Sequence, residues 1–409
     1  ALIEAGRAAE ALPDAREGVR LEEAADHRDT IWKSHWHEAR ATRAAAGNAA
    51  ALLVFDQVIA ALDGLRRASL GFRLDSLFLK ERLPAVEEAI FCAAAHGDAE
   101  RCLAYADAVK SRFLSSALAA GPPPTARTDW LKELDQLGAQ IEAAEAKDRR
   151  ELVLKRAAVV ERIRLERGQL PAPASDPAPL LELLAARGQA ALQLFHAGGR
   201  VVAVLLHDGQ LSLDMLELSP ETLTGLREFA HNLMLANPGT HNYDPKQLGL
   251  DAIGLVPPQL LERALGANAL LVAPHGALNI LPWAALPRGG QRLFQCLPVG
   301  QLPCISALLP LAARPAASPR LALLGDPQTP HATQREAKAD LGQGIADLAT
   351  LYGPDRMAAP PVTGQAASTA GFHALLAAPG AEGAILHLAL PGRPGGLWPA
   401  ARRPHADRG

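Results

Sequence analysis

The chain has 409 residues, 49% of them hydrophobic and 21% charged, with 41 basic against 44 acidic side chains. At roughly 150 residues per domain this allows two or three domains with sizeable cores and excludes global disorder. A formal charge of -3 and 4% aromatic residues exclude the basic footprint and the ring-stacking platforms of a nucleic-acid binder.

Residues 1–167 read as helices. Leu52, Leu53, Val54, Ile59 and Leu62 recur at helical spacing, and two helical stretches within 85–118 meet at Gly97-Asp98, a C-cap and turn. The second stretch places Cys102, Tyr105, Val109 and Phe113 on one face, and the small residues Cys102 and Ala106 beside the stripe admit a close neighbour. A helical hairpin is expected there. Tetratricopeptide-type hairpins stack in this way, although no clean 34-residue repeat is present and an ordinary helical bundle is the competing reading. The run GPPPT at 121–125 must break any helix, because proline lacks the amide donor and restricts the residue before it. A fresh helix is expected near Asp129. The charged stretch 130–167, with Leu131, Leu134, Leu137 and Ile141, then Leu152, Val159 and Ile163, reads as a long helix or an antiparallel pair turning near 147–150. A solvated spacer is favoured over a partner-binding coil.

A second proline cluster, LPAPASDPAP at 170–179, reads as a linker and a domain boundary. Beyond it, 191–196, 200–207 and 210–216 are short β-type runs separated by Gly198-Gly199 and Asp208-Gly209, both hairpin signals. Ser219-Pro220-Glu221 supplies an N-cap, an N1 proline and an acidic first turn for a helix running through Leu235. The fully apolar runs 269–273, 321–324 and 384–390 alternate with helical stretches at 258–265 and 336–351. Strands of that kind are buried on both faces, as in an α/β domain with a parallel sheet. The longest apolar tract, 264–286, is interrupted by Asn268, Pro274, His275, Asn279 and Pro282, so a strand and turn are expected rather than a membrane helix. No basic segment leading into an apolar one follows Ala1, and no signal peptide is expected in these residues.

Chemistry-bearing motifs are few. The sequence has no GxxxxGK[ST], no GxGxxG following a strand and no GxSxG elbow, so no nucleotide or other cofactor is expected. His35-Trp36-His37, with His27, is the best metal-like group, but an HxH on a helix points its rings to different faces and no metal is expected. Cys92, Cys102, Cys296 and Cys304 show no CxxC spacing and are too sparse for a disulfide framework, which suggests a reducing, cytoplasmic setting. A thiolate nucleophile needs a base or a positive environment, so the useful pairing is a histidine at the end of one strand and a cysteine at the end of its neighbour. His275, with Cys296 or Cys304, is the nearest candidate. The structural reading is preferred for it, as for Cys92 and Cys102 on helix faces.

Four phrases carry a resemblance. LLVAPHGALNILPWAALP at 270–287, QLPCISAL at 301–308, LALLGDP at 321–327, and VTGQAAS at 362–368 followed by GAILHLAL occur in that order. They resemble the strand-and-turn "LPF.AL" segment, the "LPS...L" phrase, the "GDP" strand end and the approach to the "HLATHG" box of the CHAT domain, the caspase-like peptidase domain associated with tetratricopeptide repeats. CLAYADAVKSR at 102–112 is similar to the "ALEYAERAKSR" helix that often precedes that domain. The resemblance implies a cysteine endopeptidase whose catalytic histidine is the second of "HLATHG" and whose cysteine ends the following strand. Here His387 takes the first histidine's place, Ala389 and Leu390 follow, and Pro391 stands at the catalytic position before Gly392. Cys304 stands at the serine of "LPS", where the PHG turn at 274–276 fits the family's variable bend. His387 within its apolar run is expected to be a core or positioning histidine.

The expected architecture is an all-α helical-hairpin region with TPR-like character at 1–168, a linker at 169–179, an incomplete caspase-like α/β domain with an opening β-meander at 180–392, and a tail at 393–409 of different texture. No catalytic residue is assigned, and the chain as written is expected to lack peptidase activity, through truncation, a frameshift or a genuine ending. The alternative is a non-catalytic interaction scaffold in bacterial signalling or defence. Protein partners are expected through the helical region, and neither nucleic acid nor membrane is expected.

Overall fold

A computed structural model describes residues 2–3, 5–27, 29–68, 72–110, 133, 136–137, 140–141, 151–156, 158–159, 176–235, 244–313, 320–327, 341–378 and 384–389. Phe113, the proline run 121–125, the helix start at Asp129, the turn at 147–150, residues 170–175, Glu336, Pro391 and the tail 393–409 lie outside them. The chain divides into two compact units, Ala1–Asn232 with Pro238–Ala313, and Leu233–Asn237 with Arg314–Gly409.

The first unit opens with helices α1 (Ala8–Ala24), α2 (Ile31–Ala46), α3 (Asn48–Ala68), α4 (Phe72–His96) and α5 (Ala99–Val109), each packed on the next. In α3 the residues Ala51, Leu52, Phe55, Val58 and Leu62 are buried at helical spacing against Trp32 of α2 and Ala89 and Ile90 of α4. By length and composition, Asn48–Leu65 is the one described helical stretch that could cross a membrane, with mean hydropathy 1.4. A third of that stretch is buried, and Leu53 within it is exposed. Between α4 and α5, Gly97 adopts the left-handed φ of 81° and the Asp98 carboxylate accepts from the Arg101 amide at 2.9 Å. The guanidinium of Arg101 bonds both Asp98 and Asp56, and the Tyr105 hydroxyl donates to Asp56 at 2.5 Å, which ties α5 to α3.

After α6 (Ala178–Arg187) come the meander strands β1 (Gln189–Ala197), β2 (Arg200–His207) and β3 (Gln210–Glu217). Asp208 and Gly209 both have positive φ, 51° and 69°, the requirement of a two-residue turn whose twist matches the strands. Next are α7 (Pro220–Leu235), α8 (Pro258–Ala264), β4 (Ala269–Ala273), the small hairpin β5 (Pro287–Arg288) and β6 (Gln291–Arg292), α9 (Leu293–Cys296), β7 (Val299–Gln301) and α10 (Leu308–Ala312). The sheet order is β3-β2-β1-β4-β7, antiparallel through the meander and parallel from β1 to β4 to β7. Alternation along β1 divides its side chains between two cores. Ala191 and Phe195 join the helical core of α2 to α6, whereas Ala190, Leu192 and Leu194 join a second core with Leu226, Leu260 and Trp283. The helices before the proline cluster and the strands after it therefore share one apolar interior.

Ser219 caps α7 through its hydroxyl, which accepts from the Thr222 amide at 3.1 Å. Inside that helix a Cβ on Gly225 would overlap the Leu248 carbonyl oxygen and crowd Leu250. Gly225→Ala is expected to lower the stability of this unit by about 1–3 kcal/mol despite alanine's better helix propensity, read as a lower denaturation midpoint. An unchanged midpoint would show that Leu248 can withdraw.

The second unit contains β8 (Leu321–Pro327), α11 (Leu341–Tyr352), β9 (Val362–Gly364), α12 (Thr369–Leu376) and β10 (Ile385–Ala389), with β8 parallel to both neighbours in the order β10-β8-β9. β8 is buried on both faces, as its apolar run implies: Leu321 and Leu323 pack with Ile345, Ala322 and Leu324 with Leu375. β10 departs from that expectation. It is an edge strand among the described strands, and His387 and Leu388 are exposed. Apolar composition predicts a central strand only where neighbours exist on both sides, and among the described strands β10 pairs with β8 alone.

Candidate functional site

Polar groups gather at the carboxyl ends of the parallel strands β1, β4 and β7, the end of an open α/β sheet at which ligands bind. β4 stops at Ala273 and is followed by Pro274, His275 and Gly276; β7 stops at Gln301 and is followed by Leu302, Pro303 and Cys304. The Leu302 amide still bonds the Val272 carbonyl at 2.8 Å, so the chain leads directly from sheet to Cys304. The end of α5 brings Asp107 and Lys110, whose ammonium reaches the Ala273 carbonyl. Ser306 follows Cys304, and β1 contributes Gln193 and His196.

His275 lies flat on Phe195, ring centroids 4.2 Å apart and planes 14° from parallel. Its Nδ1 is 3.3 Å from the His196 carbonyl oxygen; a carbonyl only accepts, so Nδ1 carries the proton and Nε2 is the basic nitrogen. Gly276 turns the chain with φ 59°, and a Cβ there would stand 3.4 Å from the same carbonyl. Phe195 in turn meets Phe91 of α4 edge to face at 6.4 Å, and the Arg200 guanidinium sits 4.0 Å over the Phe91 ring. The imidazole is thus fixed by stacking and one hydrogen bond.

Lys110 is 6% exposed, and its ammonium donates to the Ala273 carbonyl at the end of β4. Burial lowers its pKa to about 7, against the opposing pull of Asp107 and Cys304. His275 is held down to about 4, by burial first and then by the charge of Lys110, so it is neutral at pH 7. Burial also lowers His196. Cys304 is fully buried and its thiol is pushed up by burial and by Asp107, while Ser306, the Ala307 amide and Lys110 pull the other way. Asp107 Oδ1, His196 Nε2 and both amide atoms of Gln193 are buried without a hydrogen-bond partner, and Gln193 is only 1% exposed. By the alternation of β1, Gln193 shares the helix-facing side with Ala191 and Phe195, whereas His196 lies on the opposite face with Leu192 and Leu194.

This arrangement can hold and move protons. A thiolate nucleophile is disfavoured in it, because burial opposes the charged sulfur more than Lys110 supports it. The sequence criterion of a histidine and a cysteine at the ends of adjacent strands is met by His275 after β4 and Cys304 after β7. Cys296 sits elsewhere, half-buried at the end of α9 beside Gln291 and Arg292. Cys92 and Cys102 are buried among helices with their thiols raised by burial. His35 is buried facing Glu38, and His37 stacks on Trp36, so the two rings do leave α2 in different environments. Among the described residues no group of three His, Cys, Asp or Glu is placed to hold a metal ion. His387, expected in a core, is instead exposed on β10.

Asp107 and Lys110 lie in the quoted phrase CLAYADAVKSR and Ser306 in QLPCISAL, but no motif assigns a site role to them or to Gln193. Two signals mark them. Lys110 continues the buried stripe of Cys102 and Ala106 at a four-residue interval, and Gln193 interrupts the apolar run of β1 at a position facing the helices. No protein-family model matches the chain, and no curated protein matches it.

Proposed function

We propose that the chain is a caspase-like protein of the CHAT type that works by binding protein partners rather than by cleaving them. The supporting observation is the placement of the four family-like phrases on parallel strands and their ends. LLVAPHG runs from β4 into its turn, QLPCISAL leaves β7, LALLGDP is β8, and GAILHLAL contains β10. Two physical points favour binding over cleavage in this stretch. Pro391 takes the place of the catalytic histidine and offers neither a proton acceptor nor an amide donor. Cys92, Cys102 and Cys304 are buried with raised thiols, the reverse of an activated nucleophile. TPR-like stacking of α1 to α5 as a partner-binding region, cytoplasmic placement and a role in bacterial signalling or defence belong to the same reading.

The test is a peptide-library digestion with the full chain, run beside cross-linking in the cells that produce it. No cleavage dependent on Cys304 or Cys296 is expected, and cross-links to a second protein are expected on exposed α2 residues such as Lys33. Turnover abolished by Cys304→Ser or Cys296→Ser would overturn the non-catalytic reading. Cross-links confined to the α/β strands would overturn the assignment of the helices as the binding region.

A further inference from the structure

Gln193 interrupts an otherwise apolar interior. It lies between Ala191 and Phe195 on the helix-facing side of β1, in the alternation that sends Leu192 and Leu194 to the other core. It is 1% exposed, and among the described residues neither its amide nitrogen nor its amide oxygen has a hydrogen-bond partner. A carboxamide withdrawn from bulk water and left unpaired is destabilising, and such groups in folded proteins are met by other protein groups or by ordered water.

The surroundings decide between the two. Gln193 stands in register with Val204 on β2 and with Ala273 on β4, so the side chains beside it on this face have no polar atom to offer. They are also small: Ala191, Ala273 and, on α5, Ala106 belong to the same buried cluster. α5 packs against β1 and β2, and its end is tied to the neighbouring strand where the Lys110 ammonium donates to the Ala273 carbonyl. Asp107, three residues before Lys110 and close enough to favour its charge, is 9% exposed with Oδ1 unpartnered among the described residues. A cation in this place would stand against the ammonium and an anion against the carboxylate, while an apolar occupant would leave the amide unpaired. A neutral molecule that both donates and accepts fits, and in so buried a place that molecule is water. We propose a buried water site between β1 and α5, in which one water accepts from Gln193 Nε2 and donates to Asp107 Oδ1, and a second donates to Gln193 Oε1. The site gives the otherwise apolar contact of α5 with the sheet a polar bridge, which fixes where the helix end docks.

The experiment is a crystal structure of the full chain at a resolution that orders single waters, with water-oxygen relaxation dispersion in solution on the native chain, Gln193→Leu and Asp107→Asn. Density for a water within hydrogen-bonding distance of both Gln193 and Asp107 is expected. Gln193→Leu, which keeps the volume without a polar atom, is expected to lose long-lived water relative to the native chain. Asp107→Asn leaves an acceptor in the same place and is expected to retain it. A crystal structure in which Gln193 bonds protein groups directly, or in which no water meets its carboxamide, overturns the proposal, as do equal amounts of long-lived water in the native chain and a folded Gln193→Leu. A water on Gln193 that does not reach Asp107 overturns the bridge to α5. The native crystal structure decides the matter by itself where a variant does not fold.

Discussion

Trp283→Ala is expected to lower the unfolding free energy of the first unit by about 3–5 kcal/mol, the range for removing a large buried aromatic. Trp283 is 2% exposed and packs in the core on the α7 and α8 side of the sheet with Leu278, Leu281, Leu286 and Leu293. Its indole nitrogen also donates to the Leu278 carbonyl at 3.0 Å, so truncation leaves a buried acceptor without its donor as well as a cavity. Trp283→Phe keeps most of the apolar contact and loses the hydrogen bond, and is expected to cost about 1–2 kcal/mol. Ile280→Ala, at a side chain 38% exposed three residues away, serves as the control and should fall within about 0.5 kcal/mol of the native chain. Chemical denaturation reads all three. A Trp283→Ala loss under about 1 kcal/mol would mean that the tryptophan does not anchor this core. The functional consequence concerns the phrase LPWAAL: its Leu281, Trp283 and Leu286 are packing residues and carry no chemistry of their own.

Local signals were legible where the backbone demands particular residues. The meander is bounded by Gly198-Gly199 and Asp208-Gly209 because the left-handed dihedrals of those turns admit few other residues. Asp98 and Ser219 announce α5 and α7 because a side-chain oxygen must satisfy the first free amides. The five-residue apolar run of β4 is a strand because it is shorter than a stable helix and flanked by Asn268 and Pro274. What remained hidden depends on distant partners. Nothing local in Phe91 or Phe195 says that a helix before the proline cluster will pack edge to face on a strand after it. The exposure of His387 likewise depends on which strands pair with β10, a property of the sheet and not of the apolar run itself.

The candidate site was half legible for the same reason. The pairing of a histidine and a cysteine at adjacent strand ends can be stated from chemistry, and His275 and Cys304 stand in that relation. Their protonation could not be read, because it is set by burial and by Lys110, a residue more than 160 positions from either neighbour in the sequence. A thiol raised by burial and an imidazole kept neutral make a quiet pair. Any chemistry there waits on an event that admits water or changes the charge of Lys110.

Lys110→Met tests that electrostatic account through global stability. Lys110 titrates at about 7 in the folded chain and near 10.4 when unfolded, so between those values the unfolded chain binds more protons. Stability must then rise with pH across this window, and the full penalty of the buried charge is present below pH 7. The slope contributed by one such group reaches about 1.4 kcal/mol per pH unit. The buried thiols of Cys92, Cys102 and Cys304 act oppositely: their folded values are raised, so stability is lost once pH passes the unfolded thiol value near 8.5. The clean window is therefore pH 7 to 8.5, where the native chain is expected to gain about 1–2 kcal/mol from Lys110. Methionine fills the same volume with no charge to desolvate, and it forgoes the bond to Ala273. Lys110→Met is thus expected to be more stable than the native chain at pH 7 by about 2 kcal/mol, with the rise toward pH 8.5 abolished. Urea denaturation at the two pH values decides it. A variant that is less stable at pH 7 would mean that the ammonium's bond to Ala273 and its attraction to Asp107 outweigh its burial.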